Sequence, residues 1–370
     1  MKAAVKSLNR ILTLDLLRGY FLLVIILNHL HYYPSGLEWI TGESILYTST
    51  AEGFFLISGI VLGIVRGRKL LDKPFKLAAS LLLKRGVQLY ITSIILVILF
   101  TLIGWLFMDN VGLKYGIYEP VGDIWGLIWK TLTFQYIYGW ADYLRLYAIF
   151  IVLSPIALWL LRKGLWYIVL LTSVIIWSLY SFSPMPAGEY SQPLSWQLVF
   201  FVGFILGFHW QNLKKWWIER SKAFRYTIIS MIASVSIVTL IANVFIVFGH
   251  EWSGIGPLMQ HYDELISPLF NKDELPVPRL ILFALWFSSL YWLFARFEKQ
   301  ITRFAGWILL PFGTNSLYVY TVQAFVVFIA NLIFGLDSEW WFINLAISIG
   351  VVGLVYLAVR TKFLMKIIPR

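Results

Sequence analysis

Residues 14–33 read Leu14-Asp15-Leu-Leu-Arg18-Gly-Tyr-Phe-Leu-Leu-Val-Ile-Ile-Leu-Asn28-His29-Leu-His31-Tyr-Tyr33, and the class of the protein follows from this run. An α-helix needs ~20 mostly apolar residues to cross the hydrocarbon core of a membrane, and the run supplies them. A secretory signal peptide has a shorter apolar core and a cleavage site of small residues, and neither is evident here. We therefore predict that the run is the first of several membrane-spanning helices.

The composition of the whole chain supports this interpretation. Of its 370 residues, 59% are hydrophobic and only 13% are charged, whereas soluble domains carry roughly 25% charged residues. Aromatic residues make up 18%, which excludes a disordered chain. Cysteine is absent, so disulfides, thiolate metal sites and a cysteine nucleophile are excluded. The net charge of +11 is explained by basic cytoplasmic loops rather than by nucleic-acid binding.

Apolar runs and the placement of basic residues predict ten spans within a single polytopic membrane domain that covers residues 1–370. The predicted spans are 14–33, 48–65, 77–107, 143–161, 164–182, 195–210, 226–249, 279–295, 306–336 and 340–359. If 124–140 does not cross the membrane, most of the 30 basic residues lie on the same side as the N-terminus, and basic residues collect on the cytoplasmic side. With an even number of spans, we therefore assign both termini to the cytoplasm. The 124–140 segment is then an outer-face half-helix or interfacial helix. The predicted fold is all-α.

Two residues of the first span, Arg18 and His29, form the most informative pair. Eleven residues make three helical turns and about 20°, so both side chains share one face and lie roughly 16 Å apart. Charges at membrane depth are costly and often functional, although Arg18 could simply snorkel and His29 could be a packing contact. The pair, with Lys84 and Arg85, suits an elongated anion that enters from the cytoplasm with its reactive end at His29.

The second predicted span adds Glu52 and the dipeptide Ser58-Gly59. Glu52 falls at about the depth of His29, where it could orient the imidazole or could be solvated at the interface. Ser58 and Gly59 are small enough for close helix packing, and we do not interpret Ser58 as a nucleophile. The histidines and acids near 250–264 match no strong zinc pattern, so no metal site is predicted.

Several motifs together resemble the membrane acyltransferase-three family. They are Leu14-Asp15-Leu-Leu-Arg18-Gly19 followed by His29, Phe54-Phe55-Leu-Ile-Ser58-Gly59, Lys84-Arg85-Gly-Val-Gln88-Leu-Tyr90, and Gly313-Thr-Asn-Ser316-Leu-Tyr318-Val-Tyr320-Thr-Val-Gln323. Members often have Arg at the position of Gln88 and His at that of Gln323. Within the family, the chain is most similar to the OpgC-like branch, which succinylates periplasmic glucans. This similarity is carried by Ala51-Glu52, Asp142-Tyr143-Leu-Arg145-Leu-Tyr147, Ser195-Trp196-Gln197 and Leu269-Phe270-Asn-Lys272-Asp-Glu-Leu-Pro276-Val-Pro278-Arg279-Leu.

The resemblance implies transfer of an acetyl or succinyl group from acyl-CoA, as co-substrate rather than bound cofactor, to a sugar hydroxyl of an extracytoplasmic glycan. The expected partners are therefore membrane lipid, acyl-CoA and that glycan, without nucleic acid, in a bacterial cytoplasmic membrane. His29 would be the general base or a transient acyl carrier, Glu52 would orient it, and Asn28 would stabilise the oxyanion.

The same resemblance implies two sets of binding residues. Arg18, Lys84 and Arg85, with Ser58 beside them, would bind the donor. The acceptor or the acyl tail would meet Asp142, Arg145, Trp140 and Tyr143, with Arg145 as the candidate cation for a succinyl carboxylate. The main alternative is a non-enzymatic transporter or flippase, because buried Arg and His also suit a proton-coupled carrier.

Overall fold

The computed structural model describes residues 11–42, 45–113, 117–182, 192–335, 337–365 and 368, and all regular secondary structure in these ranges is helical. The helices are α1 (Leu12–Leu30), α2 (Glu38–Thr41), α3 (Thr50–Leu62, continued by a π-helical turn, Gly63–Arg68), α4 (Phe75–Leu106), α5 (Ile124–Leu132), α6 (Asp142–Arg162), α7 (Trp166–Phe182), α8 (Gln192–Phe208), α9 (Trp210–Glu219), α10 (Lys222–Gly249), α11 (Gly256–Ile266), α12 (Val277–Arg296), α13 (Glu298–Thr314), α14 (Ser316–Phe334) and α15 (Trp341–Thr361). Short 3-10 turns cover Gly139–Ala141 and Ser267–Phe270.

The prediction of an all-α, multi-pass membrane protein is confirmed. In the described ranges eight helices are long and apolar enough to cross a membrane, and a ninth is counted if α8 and α9, which meet at 68°, form one bent span. Helix α7 is apolar but shorter. Helix α5 has nine residues, about 14 Å, so it is too short to cross, in agreement with the prediction for 124–140.

The bounds of one predicted span are wrong, because residues 306–336 do not form a single helix. The chain breaks at Asn315, which separates α13 from α14 and has φ −118° and ψ 37°. The side-chain amide of Asn315 donates to the carbonyl of Pro311 at 3.0 Å, and the hydroxyl of Thr314 also bonds to that carbonyl. Such local side-chain bonds compete with the helical ladder, and this competition ends α13 there.

Helices α1, α3, α8 and α14 form the buried centre of the molecule, whereas α10 is largely exposed along its length. The centre is rich in aromatic rings: Phe55 contacts Tyr143, Phe150 and Trp196 at centroid distances of 5.5, 5.7 and 5.4 Å. The apolar side chains exposed on α10 are suited to lipid, which is as apolar as they are. The buried helices are therefore the ones that position a site.

Glycines bring α3 and α8 into backbone contact. A Cβ built on Gly59 would lie 2.2 Å from the Phe200 carbonyl oxygen, and one on Gly207 would lie 2.0 Å from the Ile60 carbonyl oxygen. Gly63 and Gly203 face the opposite backbone in the same way. Small residues at such crossings let membrane helices pack closely, as expected for Gly59 from the sequence.

We expect Gly207→Ala to destabilise the protein by about 1–3 kcal/mol, because the added methyl group meets main chain that cannot rotate away. The matched control is Gly353→Ala on α15, where an added Cβ meets nothing within 4 Å. Thermal unfolding in detergent micelles should show a lower midpoint for Gly207→Ala alone. Equal midpoints for the two variants would contradict the close α3–α8 contact.

Candidate functional site

Helix α1 carries both Arg18 and His29 without interruption, so the predicted alignment on one face holds. Arg18 is buried, and its Nη1 donates to the carbonyl of Gly313 at 3.1 Å. Helices α1 and α13 meet closely here, because a Cβ on Gly313 would lie 1.8 Å from the Asp15 carbonyl oxygen. The C-terminal end of α13 is therefore packed against the Arg18 end of α1.

A cavity of about 450 Å³ opens beside Arg18, and four cationic side chains line it: Arg18, Arg66, Lys84 and Arg85. Gln88, Tyr147, Thr314 and Ser316 add polar groups to the lining. Guanidinium and ammonium groups at this density favour a ligand with several phosphate or carboxylate charges. The structure thus brings together the three cations that the sequence nominated as donor-binding and adds a fourth.

His29 lies next to this cavity rather than on its lining. Tyr143 and Tyr320 belong to the lining, and their ring centroids are 6.4 and 6.1 Å from that of His29. The imidazole is partly buried, and its Nδ1 faces the side-chain amide of Gln323, 3.3 Å from Oε1 and 3.2 Å from Nε2. One layer of tyrosine rings separates the imidazole from the cavity.

The structure corrects the expected role of Glu52. Its carboxylate is fully buried and bound by Arg279, with Nε at 2.7 Å and Nη2 at 2.5 Å from Oε1. The same carboxylate accepts the Ser49 backbone N–H at 3.2 Å, which closes a capping box at the start of α3. Glu52 is therefore neither solvated nor bonded to His29, whose hydrogen-bonding partner is Gln323. A buried carboxylate needs a charged partner, and Arg279 supplies one.

Three other predicted site residues, Asn28, Ser58 and Arg145, do not belong to the cavity lining. Asn28 Oδ1 accepts a hydrogen bond from the Tyr33 hydroxyl at 3.2 Å. Ser58 is buried on α3 and is not among the described residues that line the cavity. Arg145 is buried, and its Nη1 donates to the Phe134 carbonyl at 3.2 Å. The side chains of Trp140 and Asp142 lie outside the described part of the structure.

Sequence reasoning missed Arg66 and the partnership of Gln323 with His29. Arg66 lies just beyond the predicted span 48–65, but the π-helical turn Gly63–Arg68 continues α3 and brings it to the cavity. π-helical turns within helices often occur at functional sites. In the sequence, Gln323 stands out only as a departure from a family motif, although a side-chain amide has both a donor group and an acceptor group and so suits either imidazole tautomer.

Comparison with known proteins gives one match. A family model described as OpgC protein matches residues 10–367, nearly the whole chain. No curated protein and no solved structure matches the sequence.

Proposed function

We propose that this chain, which belongs to the OpgC protein family, transfers a small acyl group from acyl-CoA to a sugar hydroxyl of an extracytoplasmic glucan. Membership of the family suggests a glucan-modifying acyltransferase. The donor, the acceptor and the role of His29 are our own inferences from the site. In a bacterial cytoplasmic membrane, such an enzyme would meet acyl-CoA on the inner side and the glucan on the outer side.

One observation carries the proposal: a four-cation cavity lies one tyrosine layer from an imidazole on the same face of α1. The phosphates of coenzyme A are polyanionic, and its thioester lies at the end of a long arm. Arg18, Arg66, Lys84 and Arg85 are suited to the phosphates, and the arm would run along α1 towards His29. Tyr143 and Tyr320 would flank its passage.

In the proposed reaction, the sugar hydroxyl oxygen attacks the thioester carbonyl carbon, so that a C–O bond forms and the C–S bond breaks. When Gln323 Oε1 accepts from Nδ1–H, Nε2 of His29 is unprotonated and can take the hydroxyl proton. The imidazolium then gives this proton to the departing thiolate. Asn28, adjacent on α1, is the candidate donor to the developing oxyanion. A transient acyl-His29 is the alternative route.

We further propose ten crossing helices with both termini in the cytoplasm, namely α1, α3, α4, α6, α7, α8, α10, α12, α14 and α15. Helix α13 would not cross, because both its ends lie near the start of α1. Glu298, its first residue, accepts a hydrogen bond from Thr13, and Gly313 packs on the Asp15 backbone. The far ends of α1 and α14 also meet, since the Tyr32 hydroxyl donates to the Gly335 carbonyl at 2.7 Å.

The test is release of coenzyme A from acetyl-CoA and succinyl-CoA by the purified protein, with and without glucan oligosaccharide. We expect release that depends on the glucan, and acylated glucan by mass spectrometry. No release from either donor, together with no CoA binding by folded protein, would overturn the proposal. Transport of the glucan or of an anion by the protein in vesicles would then favour a carrier.

A donor-binding variant sharpens this test. We expect Arg85→Met to raise the KM for acyl-CoA about tenfold with little change in kcat, because one charge-assisted hydrogen bond to phosphate contributes about 1.5–3 kcal/mol. The control is Lys214→Met, which removes an exposed cation on α9, outside the cavity lining. An unchanged KM for Arg85→Met would remove Arg85 from the donor site.

A further inference from the structure

Helix α10 is tied to the rest of the protein by polar contacts at two levels. Midway along it, the Ser236 hydroxyl is bonded to the Leu285 carbonyl at 3.2 Å and to the Ser289 hydroxyl at 2.8 Å, both on α12. Nearer its C-terminal end, the side-chain amide of Asn243 donates to the Ile45 carbonyl at 2.5 Å. These contacts hold α10 at a defined distance from α12 and from the segment before α3, so the space beside it is part of the fold.

Two apolar hollows lie in this space. The first hollow, about 640 Å³, is enclosed by α10, α12, the start of α3 and the middle of α1. The second hollow, about 470 Å³, lies between α10 and Trp39 of α2 and continues to Trp252. Trp39, Leu240 and Val244 line both hollows, so their side chains form a ridge between the two. The ridge is braced, because the Trp39 ring stacks on that of Phe248 with centroids 5.0 Å apart.

The two hollows have about the depth of one membrane leaflet. Along α10 the first hollow extends from Ala233 to Val244 and the second from Leu240 to Phe248, which corresponds to about 16 and 12 Å of helix. One leaflet of the hydrocarbon core is about 15 Å deep. Both hollows lie towards the C-terminal end of α10, which faces outwards in the proposed topology. Their depth therefore matches the chains of an outer-leaflet lipid.

Hydrocarbon is the material to which this space is complementary. Protein interiors have few voids larger than a water molecule, and apolar cavities of this kind do not hold water. The walls α10 and α12 are both long and apolar enough to cross a membrane, so lipid chains surround the opening. Large apolar side chains are exposed towards it, among them Ile237, Leu240 and Trp292. The acyl chains of the membrane therefore fit the lining.

A polar rim lies at the outer end of the first hollow. It consists of hydroxyl and carboxylate side chains near the start of α3, namely Thr41, Thr48, Ser49, Thr50 and Glu38. Among the described residues that line this hollow, Glu38 alone carries a charge, and its carboxylate accepts the Ser35 backbone N–H at 2.6 Å. A carboxylate at the rim favours a headgroup that carries an amine over one that is anionic. The rim thus suits a lipid headgroup, and the apolar depth suits its chains.

We propose that the two hollows bind the two acyl chains of one outer-leaflet glycerophospholipid, whose amine-bearing headgroup lies at the Glu38 rim. Two chains joined to one headgroup match two hollows that share a ridge, whereas a single chain would fill one hollow. The site is separate from the cation-lined cavity, because the described linings have no residue in common. The choice of leaflet rests on the proposed topology, and nothing in the inference depends on acyl transfer.

The variant Leu240→Trp tests the site, because a larger side chain on the ridge narrows both hollows. The protein is purified in detergent micelles, freed of lipid and incubated with dioleoyl phosphatidylethanolamine, and native mass spectrometry counts the bound lipid. We expect one lipid on the wild-type protein and about tenfold weaker binding by Leu240→Trp, since overpacking a filled site is unfavourable. Equal affinity of the two proteins would overturn the proposal.

The matched control is Val238→Trp, which adds the same side chain to the same helix. Val238 is exposed and is not among the described residues that line either hollow. This variant should bind the lipid as the wild-type protein does. Equally weak binding by Val238→Trp and Leu240→Trp would show that the lipid attaches to the helix surface at large, and so would overturn the site.

Two further lipids test the two chains and the headgroup. Oleoyl lysophosphatidylethanolamine has the same headgroup with one chain, and dioleoyl phosphatidylglycerol has the same chains with an anionic headgroup. We expect phosphatidylethanolamine to raise the thermal midpoint of lipid-free protein more than either, because a ligand that binds the folded state stabilises it. An equal rise with the lysolipid would overturn the two-chain assignment, and an equal rise with phosphatidylglycerol would overturn the headgroup assignment.

A rim variant keeps the test independent of the ridge. Glu38→Gln retains an acceptor for the Ser35 N–H but loses the negative charge. It should respond alike to phosphatidylethanolamine and phosphatidylglycerol, and an unchanged preference would remove Glu38 from the site. A protein that keeps no lipid, but forms a dimer that Leu240→Trp abolishes, would assign the hollows to a second copy of this chain and overturn the proposal.

Discussion

Acyl transfer by His29→Asn is expected to fall roughly a thousandfold in kcat, because a positioned general base contributes about 10²–10⁴ in rate. The variant loses the Nε2 atom that would accept the hydroxyl proton. The donor KM should change little, since the cations that line the cavity are untouched. Initial rates of coenzyme A release, with glucan in excess, measure both parameters.

The control for this variant is His31→Asn, the same substitution two residues further along. His31 is exposed, follows the end of α1 and has φ +54°, a left-handed conformation that asparagine tolerates. It should retain nearly full activity and stability. If both substitutions reduced kcat equally, or if His29→Asn kept wild-type kcat, His29 would not be the base.

Glu52→Gln is expected to lower the free energy of unfolding strongly, the second large effect. Removing one partner of a buried ion pair leaves the other charge uncompensated and costs about 3–5 kcal/mol. Glu52 is fully buried and Arg279 is 5% exposed, so solvent cannot replace the lost partner. We expect a much lower thermal midpoint and a lower yield of folded protein. The fraction that folds should retain turnover, because Gln323 rather than Glu52 bonds to His29.

The double variant Glu52→Gln/Arg279→Met tests whether the unpaired charge of Arg279 causes the loss of stability in Glu52→Gln. Removing both charges should recover part of the stability lost in Glu52→Gln, because no buried charge is then left without a partner. A Glu52→Gln protein with wild-type stability and greatly reduced kcat would contradict this account. It would return Glu52 to the catalytic role that the sequence first indicated.

Features that follow from the helical repeat, from the cost of a buried charge or from side-chain size were predictable from the sequence. The register of Arg18 and His29 needs only the helical repeat, and the structure keeps α1 continuous across both. The clustering of Arg18, Lys84 and Arg85 followed from the cost of charges at membrane depth. The role of Gly59 in close packing followed from the size of its side chain.

The specific partners of Glu52 and His29, and the break at Asn315, were not predictable in the same way. Glu52 and Arg279 are separated by 227 positions, and His29 and Gln323 by 294, so no local pattern pairs them. Depth alone placed Glu52 beside His29, but depth does not say which neighbour a carboxylate faces. The break at Asn315 was missed because apolar residues continue on both sides of it.

The continuity of α1 has a consequence for the choice of activated substrate. A rigid helix keeps Arg18 and His29, at its proposed phosphate-binding and acyl-accepting ends, about 16 Å apart whatever ligand is present. Coenzyme A thioesters place a long flexible arm between phosphate and acyl carbon. Acyl phosphates join these two groups directly, so one held by the cations leaves its carbonyl well over 10 Å short of the imidazole, at about the Arg18–His29 separation. The proposed enzyme would thus use coenzyme A thioesters as donors and would not use acyl phosphates.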